Sequence, residues 1–264
     1  VSTDGSVPTR WLRGVGAHAE IDEDAFLDGA YILSIGGAQQ SHVNLSEPRQ
    51  VFYEYLRRIA NVIDVVRPPG EPLRVLHLGA GALTLVRYVQ ATRPSSEQTA
   101  VELERELLDF VLEHLPLPAG TKCRFLLDDA AAALDGLPTA GFDAIVLDVF
   151  AGADAPAHLT EAPFYRQLLN LAAPGGVVLV NVGDDPPLAF ARRQVRTLAG
   201  EAQGTAALGE TAMFTGRYPG NIVLAALREP WPAEWTDKLL AAGPHPAAVL
   251  TGPDLDAFAA GTGG

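Results

Sequence analysis

The chain has a single cysteine, Cys123, in 264 residues, which excludes an internal disulfide framework and any metal site built from several cysteines. Cys123 falls in a strand-like stretch and reads as a buried, inert thiol. Long apolar runs are missing too: none reaches the roughly 18–20 residues that span a bilayer. The N-terminus lacks the basic-then-apolar pattern of a secretion signal, so a cytoplasmic protein with no membrane partner is the expectation. Basic residues are scarce, 19 Lys and Arg against 32 Asp and Glu, for a formal charge of −13. Such a surface repels phosphates, and no nucleic-acid partner is expected. The six histidines show no ligand spacing, so no metal is expected. There is no G-x-x-x-x-G-K-[ST] and no lysine near the main glycine turn, which disfavours phosphate binding.

What is present centres on Arg74–Gly81, RVLHLGAG. An apolar run ends in Gly79 and Gly81, and the helix-patterned Leu83–Thr92 follows. Strand, glycine turn and helix start together make the opening of a nucleotide-binding α/β fold, in which backbone N–H groups at the helix N-terminus face a ligand. Around it the chain alternates. Strands are expected at Leu73–Leu78, Gln98–Leu103, Cys123–Leu127, Phe142–Leu147, Val177–Val182 and Asn221–Ala226. Helices are expected at Arg105–Leu115, Ala130–Leu137, Glu161–Leu171 and Leu188–Ala199, with a further one possible beyond Arg228. That alternation predicts a mostly parallel sheet covered on both faces.

Before this domain, residues 1–20 show no periodicity and are read as a flexible lead-in. Ala30–Ile35 and Gln40–Leu45 flank Gly36-Gly37 as a β-hairpin. Ser46 is a fair N-cap, with Pro48 near the first turn, for a helix whose apolar positions run from Val51 to Val66. The division is thus residues 1–50, a lead-in and small N-terminal β domain, and 51–264, the Rossmann-like domain with a Pro/Ala-rich extension.

Acids stand at three successive strand ends. Glu102 lies near the offset from Gly79 at which a carboxylate binds ribose hydroxyls. Asp129, after the next strand, is placed to accept from a base amine, and Asp148 follows the apolar run Ala144–Leu147. Each alone could be a helix cap or a solvated loop residue. Together after a glycine turn they describe a nucleoside pocket with an acidic mouth, and the absent phosphate motif favours a sulfonium nucleoside over a dinucleotide.

The segments QSHVNL, VLHLGAG, VELE, LLDDA, IVLDVFAGADAPAHLT and PFYRQL, in that order over residues 28 to 226, resemble the spermidine synthase family of polyamine aminopropyltransferases. The likeness is to its divergent actinobacterial branch with a D-x-F-x-G…P-x-H-L-T segment. The resemblance implies a small β-domain over a Rossmann-like S-adenosylmethionine-dependent methyltransferase fold, and a homodimer or tetramer. It also implies aminopropyl transfer from decarboxylated S-adenosylmethionine to an amine such as putrescine, releasing methylthioadenosine. By position it assigns Gln40, Gly79, Gly81, Glu102 and Asp129 to the nucleoside, Asp148 to catalysis, and the Tyr218-Pro219-Gly220 loop to substrate. His158 lies near the expected mouth as a candidate substrate contact, and Tyr165 reads as core or pocket wall. The chain departs from the family at Ala82 and Ala151, where the family carries acids, and at Phe52-Tyr53, where the family carries Tyr-His. Asp154 and Glu161 are nearby acids that could compensate.

Asp148 would orient a neutral amine and accept its proton, which needs proximity more than an unusual pKa. Two alternatives stay open: an S-adenosylmethionine-dependent methyltransferase, suggested by Ala82, and a non-catalytic nucleoside-binding homologue.

Overall fold

The structure, a computed structural model, describes residues 7–149 and 156–261. From Thr9 onward the structure corrects the reading of residues 1–20 as a lead-in; residues 1–6 lie outside the described residues. Thr9–Leu12 (β1) and Ala17–Glu23 (β2) pair antiparallel, and with Ala30–Ile35 (β3) and Ala38–Asn44 (β4) they form a four-stranded sheet ordered β1-β2-β3-β4. Only Leu12, Ala19 and Ile21 of the first two strands are buried, too few apolar positions to stand out as alternation. The expected hairpin is β3–β4. Its turn glycines Gly36 and Gly37 have φ of +59° and +80°, the handedness that matches strand twist in a two-residue connection.

The first helix also differs from expectation. Ser46 does not cap it: the backbone N–H groups of Ser46 and Glu47 donate to Asn44 Oδ1 at 3.0 and 2.9 Å, so the segment forms an Asx turn. The helix begins later, at Glu54–Val66 (α1).

The main sheet has eight strands. Its parallel half comprises Arg74–Leu78 (β5), Glu97–Glu102 (β6), Lys122–Leu127 (β7), Phe142–Leu147 (β8) and Ala172–Asp184 (β9). Gly204–Glu210 (β10), Gly220–Leu227 (β11) and Ala247–Thr251 (β12) complete it through antiparallel pairs, in the order β12-β10-β11-β9-β8-β5-β6-β7. Helices Thr84–Thr92 (α2), Arg105–His114 (α3), Ala162–Leu171 (α4), Ala189–Ala199 (α5), Ala233–Ala242 (α6) and Gly252–Ala260 (α7) cover it with α1. The short helix expected at Ala130–Leu137 is a 3-10 turn over Ala132–Gly136.

The central parallel strands β5, β8 and β9 are buried on both faces, whereas the edge strand β7 is half-exposed, and the side chains of the central strands sort by the two-residue period. Leu76, Leu78, Ile145, Leu147, Val178 and Val180 enter one core; Val75, Ala144, Val146, Val177 and Leu179 enter the other. From β5 the chain moves outward to β6 and β7, then crosses back to β8 on β5's other side. Strand order therefore reverses between β5 and β8, and the carboxyl ends of those two strands are where an open α/β sheet holds its ligand.

Candidate active site

Gly79 follows β5 and Asp148 follows β8, and the two strand ends are in contact. Gly79 donates to Val101 O at 3.0 Å and Asp148 N–H to Leu78 O at 2.9 Å. Gly79 has φ +92°, and a Cβ there would lie 2.4 Å from the Asp148 carbonyl oxygen. Only glycine admits that approach. The turn is then stitched to the N-terminal sheet: Ala82 N–H donates to Ser41 Oγ at 3.2 Å, and Thr84 Oγ1 to the His42 carbonyl at 3.1 Å.

Above this junction lies a cleft of about 900 Å³ between the N-terminal sheet, the start of α1 and the carboxyl edge of the main sheet. It brings together Gln40, Gly79, Gly81, Glu102, Asp129, Asp148 and Tyr218. His158 is not among its lining residues; its Nε2 lies 3.1 Å from Asp129 Oδ2 instead. Glu161 precedes α4 and lies outside the lining as well. Tyr165 is fully buried, with its hydroxyl donating to Gln194 Oε1. Ala151 and Asp154 fall outside the described residues.

Glu102 accepts from Ala80 N–H at 3.1 Å through one oxygen and from Glu104 N–H at 3.0 Å through the other. It thus fixes the glycine turn and the entry to α3, and each oxygen retains a lone pair for a ligand. Asp129 Oδ1 accepts from Ala131 N–H at 2.9 Å and Ala132 N–H at 3.2 Å. Burial pushes its carboxyl up, but His158 and these backbone donors outweigh that and hold it below the usual aspartate range.

Asp148 is enclosed at the cleft floor. Asn181 Nδ2 donates to its Oδ1 at 2.8 Å, and the Tyr55 hydroxyl to its Oδ2 at 3.4 Å. Enclosure raises its carboxyl above the usual aspartate range, while the Asn181 and Tyr55 bonds pull the other way. Tyr55 itself is pushed well up by burial and by the Asp148 charge, so it stays a neutral donor. His77, fully enclosed below the turn and bonded to Gln98 at 2.9 Å, is pushed down to about 4 by burial and is neutral. Cys123 is half-buried, not buried as expected, and burial pushes its thiol up to about 12.

Ala82 is 1% exposed and packs in the core shared with the N-terminal sheet. Phe52 turns away from the cleft to stack on His42 with ring centroids 4.4 Å apart, while Tyr53 lines it. Tyr55, Asn181, Glu54 and Glu210 are among the lining residues that the sequence did not single out. Asn181 carried a usable signal, a lone polar residue inside the apolar run Val177–Val182. Tyr55 carried none, because its spacing fits the apolar stripe of α1.

Parallel sheet, glycine turn at the topological switch and carboxylates at successive strand ends define a Rossmann-like methyltransferase fold with an added N-terminal β-sheet. No family model matches the chain. Polyamine aminopropyltransferase 2 of Pseudomonas aeruginosa is 31% identical over 203 residues, 72% of this chain and 53% of that protein. The chain spans about half the length of the curated relatives it matches. A probable spermidine synthase from Corynebacterium glutamicum superposes with a TM-score of 0.85 at 29% identity, covering 97% of this chain and 95% of that one. In fold alone, a spermidine synthase solved with the transition-state analogue AdoDATO follows at a TM-score of 0.62 and 15% identity, covering 87% of this chain and 74% of its own. Human methyltransferase-like protein 13, solved with SAH, has a TM-score of 0.57 at 18% identity, covering 71% and 89%. By these likenesses the chain is similar to spermidine synthase-like proteins.

Proposed function

We propose that the chain transfers the aminopropyl group of decarboxylated S-adenosylmethionine to an amine and releases methylthioadenosine. The observation that carries this reading is Asp148, enclosed beside the glycine turn with Asn181 on one oxygen and Tyr55 on the other. In this reading Gln40, the turn from Gly79 to Gly81, Glu102 and Asp129 bind the nucleoside, and Tyr218 closes the acceptor side; His158 acts through Asp129 by holding its carboxylate.

The reaction asks little of covalent chemistry. A neutral amine attacks the methylene next to the sulfonium, the new C–N bond forms as the C–S bond breaks, and the bonding pair returns to sulfur as a neutral thioether. The nitrogen becomes an ammonium and passes a proton to Asp148. Placement supplies the rate, and a carboxylate whose pKa is raised is a better proton acceptor at neutral pH than an ordinary aspartate. A homodimer in the cytoplasm is part of the same proposal.

The test mixes the protein with decarboxylated donor and a panel of amines and measures methylthioadenosine. Release with at least one amine, abolished in Asp148→Asn, is expected; no release with any amine overturns the reading. Ala82 favours a second reading, methyl transfer from S-adenosylmethionine, since no acid faces a donor ammonium at that position. Tighter binding of S-adenosylhomocysteine than of methylthioadenosine would select it.

A further inference from the structure

We infer that the turn between β1 and β2 is a latch over the nucleoside end of the cleft, fastened to α3 by the Arg13–Glu106 ion pair, and that its opening sets how fast a nucleoside enters and leaves. The inference rests on the nucleoside reading above and concerns how that ligand is retained.

Charge lays the first strand along a helix of the main domain. The chain has only 19 basic residues and a net charge of −13, yet two of those residues, Arg10 and Arg13, stand three apart and both meet acids on α3. Arg10 Nη2 lies 2.8 Å from Glu113 Oε2, with its guanidinium 5.3 Å from the centre of the Phe110 ring. Arg13 Nε lies 2.6 Å from Glu106 Oε1. Glu106 and Glu113 are two turns apart on one face of the helix. The strand therefore runs antiparallel to α3 and delivers the β1–β2 turn to the first turn of that helix. This helix end follows Glu102 and Glu104, at the carboxyl edge of the main sheet.

There the turn reaches the cleft. Gly14 and Val15 line it together with Leu103, Glu104 and Leu107. A side chain at Gly14 would run into the Glu104 carboxylate, and Glu104 N–H donates to Glu102 Oε1 at 3.0 Å. The tip is thus seated next to the carboxylate proposed for ribose. Val15 and Leu103, 51% and 68% exposed, add apolar surface that a bound nucleoside would cover.

Root and tip of the hairpin are attached differently. Leu12 is fully buried and shares a core with Leu108, Phe110 and Val111 of α3. Beyond it, residues 13–16 are all exposed. Gly16 N–H closes the turn on Leu12 O at 2.8 Å, and among the described residues the polar tie from this tip to α3 is the Arg13–Glu106 pair. The Arg13 side chain is 82% exposed. A pair so exposed favours the closed arrangement by a factor of about two to five at low salt, and less as salt screens it. Such a tip is held in place and still free to open.

Methylthioadenosine is a neutral ligand, so ionic strength acts on the latch and not on a charge of the ligand. Its association and dissociation rates are measured for wild type, Arg13→Gln and Arg13→Lys at about 10 mM and about 1 M salt, where the screening length falls from about 30 Å to about 3 Å. In wild type both rates should rise with salt by about two- to fivefold. Arg13→Gln should be that fast at low salt and respond little to more, while Arg13→Lys stays near wild type. A gate changes entry and exit together, so Kd should move far less than either rate. A turn that only supports the local fold would instead weaken Kd with no faster association. That result, or rates unmoved in Arg13→Gln, overturns the latch alone. Should wild type bind neither methylthioadenosine nor S-adenosylhomocysteine, the nucleoside reading fails and the latch with it.

Discussion

Asn181 donates its side-chain amide nitrogen to Asp148 Oδ1 at 2.8 Å, one strand across from it in the sheet and from inside an otherwise apolar, buried run of β9. A lone polar side chain at such a depth is costly unless it is satisfied. Here its partner is the carboxylate proposed above to take up the proton. The bond orients that carboxylate and stabilises its ionised form, opposing the enclosure that raises its pKa.

Replacing Asn181 by leucine should therefore push the Asp148 carboxyl further up. The acid limb of the kcat profile should move to higher pH, and kcat at neutral pH should fall by about tenfold or more, the worth of a hydrogen bond to a charged group. Methylthioadenosine affinity should change little. A pH–rate profile checks this, and a purely structural role for Asn181 would lower activity without moving the limb.

Asp148→Asn should lose turnover and gain stability. The folded-state pKa of Asp148 is raised above its unfolded value, so the native state binds the proton more tightly and ionisation at neutral pH costs stability. The asparagine escapes that cost while still accepting from Asn181. Its Tm advantage should be full above the folded-state pKa, shrink as pH falls through it and vanish below the ordinary aspartate range. Thermal melts across pH measure the difference, and an advantage that grows toward acid would show the sign to be wrong.

Most of the half of the cleft proposed for the nucleoside was legible in the sequence because its parts, Gln40 apart, sit at strand ends. Gly79, Glu102, Asp129 and Asp148 each follow a recognisable apolar run, and a parallel sheet brings such ends to one edge whatever the loops do. The half proposed for the acceptor was not. Tyr55 shares the spacing of the buried stripe of α1, and Glu210 ends β10, whose Gly/Ala-rich sequence GTAALGE shows no strand alternation. The strands β1 and β2 were hidden for a related reason: a small sheet needs only a few buried residues, and Leu12, Ala19 and Ile21 do not make a pattern. Ser46 misled because a capping residue and an Asx-turn residue look alike until the acceptor, Asn44 Oδ1, is known.

Glu102→Gln tests the nucleoside site. Glutamine keeps one acceptor but turns an NH₂ toward either Ala80 N–H or Glu104 N–H, setting donor against donor. One hydrogen bond to the glycine turn is lost together with the charge that would bind ribose hydroxyls. Methylthioadenosine affinity should fall by about tenfold to a hundredfold. Calorimetric titration measures it, and unchanged affinity would remove Glu102 from the site.

Arg93 is expected to matter for stability alone. Its guanidinium is 1% exposed and donates to the carbonyls of Ile63, Asp64, Arg67, Pro68 and Glu71 at 2.9–3.2 Å. Those include the last carbonyls of α1, which have no partner within the helix. Arg93→Met fills similar space but orphans them, at a cost of about 3 kcal/mol or more. Urea unfolding should show that loss, with methylthioadenosine affinity intact in the folded variant.

Gly79→Ala should be far more damaging than Gly37→Ala, although both glycines have positive φ, +92° and +80°. At Gly37 an added Cβ meets nothing within 4 Å, so the cost is the conformational strain alone, about 1 kcal/mol. At Gly79 the same atom would lie 2.4 Å from the Asp148 carbonyl oxygen. Neither side can yield freely, because Gly79 N–H is held by Val101 O and Asp148 N–H by Leu78 O. The strand ends must part, which destabilises the fold by about 3 kcal/mol or more and displaces Asp148 from Asn181. Urea unfolding of the two variants gives the comparison, and equal losses would show that the β5–β8 junction is not the close contact described. If the junction is that tight, the glycine serves the site twice, once by opening the turn to the nucleoside and once by letting Asp148 stand against it.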